Sequence, residues 1–283
     1  MKRRILLRSG IYFILIALTF DLNARITGFD KIKWQREKIA PGLIWKSSHT
    51  ILNDSVPQNI NILLVNLHKR TISISYDPER NVKTSQQASA ANGIAAVNGG
   101  FFNIKNGGSV TYIRTGRKIV DSDTAKKWSR NANMTGAVLI RSGREILIEK
   151  IKPDAWYNSH PEFEDVLVTG PLLVENGKMV TLPKTSLVIS KHPRTAAGTR
   201  NSKKVILITL DGRTGEAAGM TLSELSELML LLRCRDAVNL DGGGSTTMWI
   251  NGKPFKGIVN MPCDNKKFDH EGERAVSDIL VIR

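Results

Sequence analysis

The sequence has few of the residues and motifs that metal centres and nucleotide sites require. Its 283 residues include only two cysteines, Cys234 and Cys263, too few for a four-cysteine zinc site. They could close one disulfide in an oxidising compartment, but the sequence does not show whether they meet. No G-x-x-x-x-G-K-S/T loop occurs, and no G-x-G-x-x-G motif opens a helix. Asp121-x-Asp123 is the one D-x-D pair and no His pair indicates a metal site, so we expect no cofactor.

Acidic side chains are also scarce relative to basic ones. The chain has 26 Asp and Glu against 41 Lys and Arg, a formal net charge of +15. Such a balance favours anionic partners. The basic residues are scattered and no nucleic-acid-binding motif is present, so we expect no nucleic acid partner. A sugar-phosphate or phosphoglycan, such as a cell-surface polymer, fits better, although solubility alone explains the charge equally well.

Long apolar runs are missing as well, apart from one near the N-terminus. Residues 1–10 are basic, and residues 11–20 form an apolar run too short to span a bilayer comfortably. Together they predict a secretory signal peptide over residues 1–24, with a short membrane anchor as the alternative. No cysteine directly follows the run, which argues against a lipoprotein. We therefore expect an exported chain, periplasmic or extracellular, with no stable membrane insertion after signal cleavage.

The rest of the chain has the pattern of short strands joined by tight turns. Polar and apolar residues alternate in TISISY, residues 71–76, as in a half-buried strand. Ser142-Gly143 and Asn176-Gly177 each separate two apolar runs and predict hairpins. One helix is clear: Thr221 precedes Glu224 at capping-box spacing and leads into an apolar stripe. This mixture predicts an α+β fold with a largely antiparallel mixed sheet and a few helices.

No linker rich in Pro, Gly or Ser divides the chain after residue 60. We therefore expect a single domain over residues 60–283, preceded by lead-in strands in residues 25–59. Two stretches within the domain resemble each other, AAVNGGFFN (95–103) and AVNLDGGGSTTM (237–248). Two pseudo-repeated halves around a cleft would produce this similarity, and chance similarity of glycine turns would too.

These two glycine-rich turns are candidate ligand sites. Consecutive glycines let the backbone approach a ligand closely and direct its N–H groups at an anion, although a tight turn explains each one equally well. Acids and arginines follow several other predicted strands, where they could converge on one rim or form ordinary surface ion pairs. Asp211 and Asp241 are hard oxygen ligands that could also hold a divalent cation such as calcium, but the pattern predicts no metal site.

Six motifs in order carry a resemblance to a known family. They are VNGGFFN, TGPLLVENGK, HPRTAAGT, TLDGR, NLDGGGSTTM and ERAVSDILVI. The region resembles the phosphodiester glycosidase family over roughly residues 60–283. The resemblance implies a mixed α+β domain with an active site in a cleft. It also implies hydrolysis of a sugar-1-phosphodiester, which releases the sugar and leaves a phosphomonoester.

The resemblance also implies which residues line the cleft. Candidates for substrate binding are Asn98, Gly99, Gly100, Phe101, Phe102, Arg194, Thr195, Arg213, Gly242, Gly243, Gly244, Ser245, Thr246 and Arg274. Candidates for catalysis are Asp241, Glu273, Asp211 and His192. Within the first group, residues 98–102 would line a sugar pocket, Arg194 and Thr195 would hold the phosphate, and residues 242–246 with Arg274 would help to complete the cleft. A carboxylate near the anomeric carbon would act as nucleophile, base or electrostatic stabiliser in an oxocarbenium-like transition state. Arginines and backbone N–H groups would stabilise the departing phosphate, and His192 could donate a proton.

Two other functions remain open from the sequence. The chain could bind a carbohydrate or phosphoglycan without catalysis, or it could break the P–O bond as a phosphodiesterase.

Overall fold

The computed structural model describes residues 26–77, 80–120 and 131–283. The predicted signal segment and Asp121-x-Asp123 lie outside this part of the chain. The strands are β1 (Gln35–Ala40), β2 (Leu43–Leu52), β3 (Val56–Asn66), β4 (Ile72–Tyr76), β5 (Val82–Lys83), β6 (Ala95–Asn98), β7 (Ile113–Thr115), β8 (Lys118–Val120), β9 (Gly136–Arg141), β10 (Glu145–Lys150), β11 (Asp165–Thr169), β12 (Leu172–Glu175), β13 (Lys178–Met179), β14 (Arg194–Asn201), β15 (Lys204–Leu210), β16 (Asp236–Asn239), β17 (Met248–Ile250), β18 (Ala275–Val276) and β19 (Asp278–Ile282). The α-helices are α1 (Thr84–Ala90), α2 (Asp154–Asn158), α3 (Ser186–Ile189) and α4 (Leu222–Leu231).

The strands form three main antiparallel sheets and one small pair. The largest sheet has the order β1-β2-β3-β15-β14-β16-β12-β13. A second has the order β10-β9-β11-β7-β8, and a third the order β17-β6-β19-β4. The short strands β18 and β5 pair separately. This architecture confirms the predicted α+β class.

One apolar core joins the three main sheets. Its members include Leu207 of the largest sheet, Val138 of the second and Val97 of the third, all fully buried. The opposite face of the largest sheet packs against α3 and α4 in a second core. Because β15 is buried on both faces, it is an almost continuous apolar run rather than an alternating one.

The strands predicted as a lead-in belong to this main sheet. β2 pairs with β3 along its whole length, from Leu43 opposite Val65 to Leu52 opposite Val56. The predicted boundary between residues 59 and 60 falls within β3. The lead-in strands therefore share a sheet with the strands that carry the candidate site.

Local sequence signals correspond to the observed turns and helix ends. The predicted hairpins exist as β9–β10 and β12–β13, with Ser142-Gly143 and Asn176-Gly177 at positive φ in their turns. Helix α4 begins with a complete capping box between Thr221 and Glu224. No helix in the described ranges is long and apolar enough to cross a bilayer.

The two similar glycine-rich stretches meet in space. β6 ends at Asn98 and β16 ends at Asn239, and each strand runs directly into its glycine turn. The backbone N–H of Asp241 donates to Gly99 O at 2.9 Å, which joins the two turns. This junction lies where β15 ends and β14 begins, so four strand ends converge on one place. The internal repeat itself stays a prediction.

Candidate active site

Asp241 occupies the centre of this junction. Its Oδ1 accepts a hydrogen bond from Gly242 N at 2.9 Å, and its carbonyl accepts one from Asn98 Nδ2 at 2.7 Å. Burial raises the pKa of the Asp241 carboxyl to about 6, while the Ser245 hydroxyl, the Gly242 N–H and the charge of Arg274 act in the opposite direction. A carboxyl in this range exists in both protonation states near neutral pH.

The three glycines after Asp241 leave room for protein side chains. A Cβ at residue 243 would lie 3.0 Å from Arg213 Nη2, and one at residue 244 would lie 2.4 Å from Arg274 Nη2. Gly243 also has a φ of +60°, which most other residues adopt only at a cost. Both arginines therefore lie directly against the glycine turn, Arg213 at Gly243 and Arg274 at Gly244.

Each arginine has a defined neighbour that holds it there. Arg274 Nε donates to Asp264 Oδ1 at 3.1 Å. Arg213 Nη2 lies 3.3 Å from His192 Nδ1, and the charge of Arg213 opposes the rise that burial causes in the pKa of the Cys263 thiol. Burial, followed by the charges of Arg194 and Arg213, lowers the pKa of His192. A neutral imidazole next to two guanidinium groups is consistent with a site for an anion.

Asp278 is an acid of this junction that the sequence analysis missed. It is fully buried in β19, where Oδ1 accepts from Gly100 N at 2.7 Å and Oδ2 accepts from Ser277 Oγ at 2.5 Å. Burial raises its pKa, and its charge raises that of Asp241. A Cβ at residue 99 would lie 2.0 Å from Asp278 Oδ1, so Gly99 is required by this acid. The sequence feature that could have identified Asp278 is an acidic residue inside an otherwise apolar C-terminal strand.

The predicted sugar pocket at residues 98–102 faces the protein interior for the most part. Asn98 is buried, and its Oδ1 accepts from Thr195 Oγ1 at 2.7 Å and from Thr247 N at 3.1 Å. A Cβ at Gly100 would meet Leu167, and the ring of Phe102 packs in a third core cluster. Phe101 is half-buried. Asn98 thus supports the backbone at Asp241 and is itself held by Thr195, and direct contact of either residue with a ligand stays a prediction.

Arg194 is buried and bound to backbone carbonyls. Only 1 % of its surface is exposed, and its guanidinium donates to three backbone carbonyls. The acceptors are Met220 O at 2.8 Å, Leu187 O at 2.8 Å and Ser190 O at 2.7 Å. This side chain therefore points to the α3–α4 side of the sheet, and the phosphate site at residues 194–195 stays a prediction.

Glu273 and Asp211 also have structural partners. Both carboxylate oxygens of Glu273 accept from Ser85, one from the backbone N–H and one from the hydroxyl, each at 2.7 Å. Asp211 is 1 % exposed and accepts from Asn59 Nδ2, Asn260 Nδ2 and Met261 N. Burial raises the pKa of Asp211 to about 7. The contacts of Glu273 support the first turn of α1, and the contacts of Asp211 support the loop that carries Asp264.

Ser245 and Thr246 complete the turn as buried residues. Within the described residues, the hydroxyls of Thr246 and Thr247 have no hydrogen-bond partner. The two cysteines are free thiols: Cys234 belongs to the core beneath α4, whereas Cys263 lies beside Arg213. No three His, Cys, Asp or Glu side chains in the described ranges come together as metal ligands, and the absence of a cofactor stays a prediction.

The arrangement combines one carboxyl of raised pKa, two arginines against a half-buried glycine turn and a histidine. Those elements can hold a phosphate and place a carboxylate beside the atom bonded to it. A model of the phosphodiester glycosidase family matches residues 91–283. The chain belongs to the phosphodiester glycosidase family.

Individual relatives agree with this assignment. The chain is 27% identical over 202 residues to the human N-acetylglucosamine-1-phosphodiester alpha-N-acetylglucosaminidase. This match covers 66% of this chain and 36% of the human protein. It is 38% identical over 92 residues to the SPbeta prophage-derived uncharacterized protein YomE of Bacillus subtilis, covering 32% and 13% of the two chains. The matches thus span 36% of the human protein and 13% of YomE, so this phosphodiester glycosidase family member covers only part of each relative's length.

A solved structure of the family shares the fold. The zebrafish N-acetylglucosamine-1-phosphodiester alpha-N-acetylglucosaminidase catalytic domain, auto-inhibited by its pro-peptide, matches with a TM-score of 0.69 and 20% identity. The match covers 89% of this chain and 87% of the zebrafish chain. At this identity the likeness concerns the fold alone.

Proposed function

We propose that this protein is an exported hydrolase that cleaves the bond between a sugar and the phosphate of a phosphodiester, in a glycan or cell-surface polymer. The observation that carries the proposal is the placement of Arg213 and Arg274 against the glycines that follow Asp241. Family membership supports the reaction class. The basic charge of the chain supports an anionic substrate.

In this proposal, Arg213 and Arg274 bind the phosphate. Guanidinium groups match phosphate oxygens in pairs, and their charge stabilises the negative charge that grows as the phosphate departs. A phosphate monoester is a good leaving group, so a strong general acid is not required. Arg213 donates toward His192 Nδ1, which leaves the proton of the neutral imidazole on Nε2, where it can donate to the leaving oxygen.

Asp241 supplies the carboxylate. Its ionised form stabilises positive charge at the anomeric carbon in the oxocarbenium-like transition state. Asn98 and Asp278 support it indirectly: Asn98 binds its carbonyl, and Asp278 raises its pKa and holds the neighbouring turn. Neither supporting side chain needs to contact the substrate.

Turnover by three proteins tests this function. Wild type, Asp241→Asn and the control Asp54→Asn are incubated with a UDP-sugar and with alkyl diesters of sugar 1-phosphates, and free sugar is measured. We expect release by wild type and by Asp54→Asn, which changes an exposed residue far from the junction in sequence. Asp241→Asn is expected to lose at least about 10²-fold in kcat, the usual effect of removing one group that stabilises transition-state charge. A folded wild type that is inert on the whole panel, yet binds the substrates, would support the non-catalytic alternative.

Export is tested separately by the N-terminus of the protein recovered from the producing cell. A mature chain that begins close to residue 25 in the periplasm or medium supports cleavage of the signal. An intact N-terminus in the membrane fraction supports the anchor.

A further inference from the structure

A second cationic feature lies on the main sheet, away from Asp241. It consists of Arg36 on β1, Lys46 on β2, Arg200 on β14 and Lys204 on β15, which we call the cationic face. Arg36 is directly opposite Lys46 in the antiparallel register of β1 and β2. Like charges in directly opposed positions destabilise a sheet, so the fold retains this pair at a cost. Burial, followed by the nearby charges of Arg200 and Arg36, lowers the pKa of Lys46.

The cationic face lacks acidic compensation in the part of the chain that the structure describes. None of the ion pairs there includes any of its four members. The adjacent acid in sequence, Glu37, pairs with Lys253, which lies over Trp45 on the other side of β2. The cost of gathering these charges is therefore not offset within the described fold.

Two members are already held in place by the protein. Arg200 Nε and Nη2 donate to Leu232 O at 3.1 and 2.9 Å, at the end of α4, and among the described residues Nη1 has no hydrogen-bond acceptor. The Lys46 ammonium lies 4.5 Å from the centre of the Trp34 ring. Ordered cations require less reorganisation on binding than free surface lysines, which favours a specific anion site.

A shallow cavity of about 280 Å³ opens between these strands. Ile44, Leu64 and Ile206 line its floor, and Arg200 and Lys204 stand at its rim. An apolar floor with a few polar groups at the edge is the usual composition of a small-ligand site, and a sugar ring has an apolar face of this kind. A membrane-binding surface would instead present protruding apolar side chains, whereas Ile44 and Leu64 are only partly exposed.

The cavity and the candidate active site lie at opposite ends of the same strand. β15 begins at Lys204 beside the cavity and ends at Leu210, immediately before Asp211 of the junction. Six steps of about 3.3 Å each separate the two ends by about 20 Å. A single sugar phosphate cannot contact both places, but a polymer with repeated phosphates can.

We propose that the cationic face and its cavity bind a further sugar-phosphate unit of a polymeric substrate, outside the active site. The polymeric nature of the ligand rests on the proposed function, whereas the anion site itself rests on the geometry of β1, β2, β14 and β15. The site retains the polymer while its end is hydrolysed at Asp241.

Binding of phosphomannan, measured by calorimetry against unphosphorylated mannan, tests this site. The variant Arg36→Gln with Lys204→Gln removes two exposed charges that make no side-chain contact among the described hydrogen bonds and ion pairs. The control Lys118→Gln with Lys178→Gln removes two exposed lysines from β8 and β13. We expect wild type and control to bind phosphomannan and not mannan, and the first variant to bind at least about tenfold more weakly, as for lost charge-assisted contacts.

Two further readouts separate a local anion site from a general effect of net charge. Arg36→Gln alone should raise the Tm, by up to about 4 °C, because it relieves the repulsion with Lys46. Hydrolysis of a small sugar-1-phosphate diester should be unchanged in both double variants.

Equal phosphomannan binding by wild type and the Arg36→Gln, Lys204→Gln variant would overturn the site. Binding to phosphatidylglycerol vesicles but not to phosphomannan would overturn the polymer in favour of a membrane. Phosphomannan binding without any turnover would support the site and contradict the hydrolase.

Discussion

Replacement of Gly244 by alanine tests whether the glycine turn exists to position Arg274. The new Cβ would lie 2.4 Å from Arg274 Nη2, 2.6 Å from its Cζ and 2.6 Å from Asp264 Oδ1. Carbon and heavy polar atoms in contact are normally about 3.5 Å apart, so the guanidinium must move by about 1 Å. A displacement of that size at a positioning group can reduce a rate about 10²-fold. We expect a loss of about that factor in kcat/KM.

The fold itself should tolerate this change. Gly244 does not have a positive φ, so alanine brings no backbone strain there. The displaced pair between Arg274 and Asp264 is partly exposed, and such pairs contribute at most about 1 kcal/mol. Thermal unfolding should therefore show a Tm lowered by only about 2 to 4 °C.

Gly252→Ala provides the matched control. Gly252 has a φ of +78°, and no atom lies within 4 Å of an added Cβ. This substitution should lower stability by about 1–2 kcal/mol through the left-handed backbone, while the activity stays at the wild-type level. Gly244→Ala is thus expected to lose more activity than Gly252→Ala, whereas Gly252→Ala is expected to lose more stability. Wild-type activity in a folded Gly244→Ala protein would refute the role of Arg274.

The remaining predictions concern the acids. The pKa of Asp241, about 6, predicts that kcat/KM rises with pH up to about 6 and then becomes constant, because the ionised carboxylate is the active form. A fall in kcat/KM above about pH 6 would instead indicate that Asp241 acts as a general acid. Burial raises the pKa values of Asp211 and Asp241 above those of the unfolded chain, so the folded chain retains protons that the unfolded chain releases. The free energy of unfolding, measured by urea titration, should therefore fall as the pH rises from about 4 to about 7. A rise over this range would contradict the burial of both groups. Glu273→Gln should cost about 1 kcal/mol of stability at the Ser85 contact and leave kcat intact, whereas a 10²-fold loss of kcat would restore Glu273 as a catalytic residue.

Predictions from the sequence succeeded where the signal is local. The turn at Ser142-Gly143 needs positive φ at both residues, and the capping box of Thr221 lies within one helical turn. Such features depend on neighbours in sequence, so a single chain is sufficient to predict them. The class of the fold follows from the number and spacing of these turns.

The direction of side chains at strand ends could not be predicted in the same way. Arg194 and Thr195 are adjacent and therefore point to opposite faces of β14. Arg194 shares its face with Ala196, which packs beneath α4, so its guanidinium reaches the carbonyls of that side. Nothing in the sequence indicates which of the two faces belongs to the cleft.

Long-range partners account for the other differences. Glu273 contacts Ser85, which is 188 positions away in sequence, and Asp278 contacts Gly100, which is 178 positions away. Both pairings depend on where β6, β18 and β19 lie in the fold. The glycines at 99, 243 and 244 were predicted to admit a ligand, whereas the structure fills the space at each with a protein side chain.

The position of oxygen incorporated from water is the most direct test of the proposed reaction. A sugar-1-phosphate diester is hydrolysed in ¹⁸O-labelled water, and both products are examined by mass spectrometry. Cleavage of the sugar–oxygen bond beside Asp241 places the label in the released sugar and none in the phosphate. Label in the phosphate would contradict the account, because it would mean that the P–O bond breaks and that the protein is a phosphodiesterase.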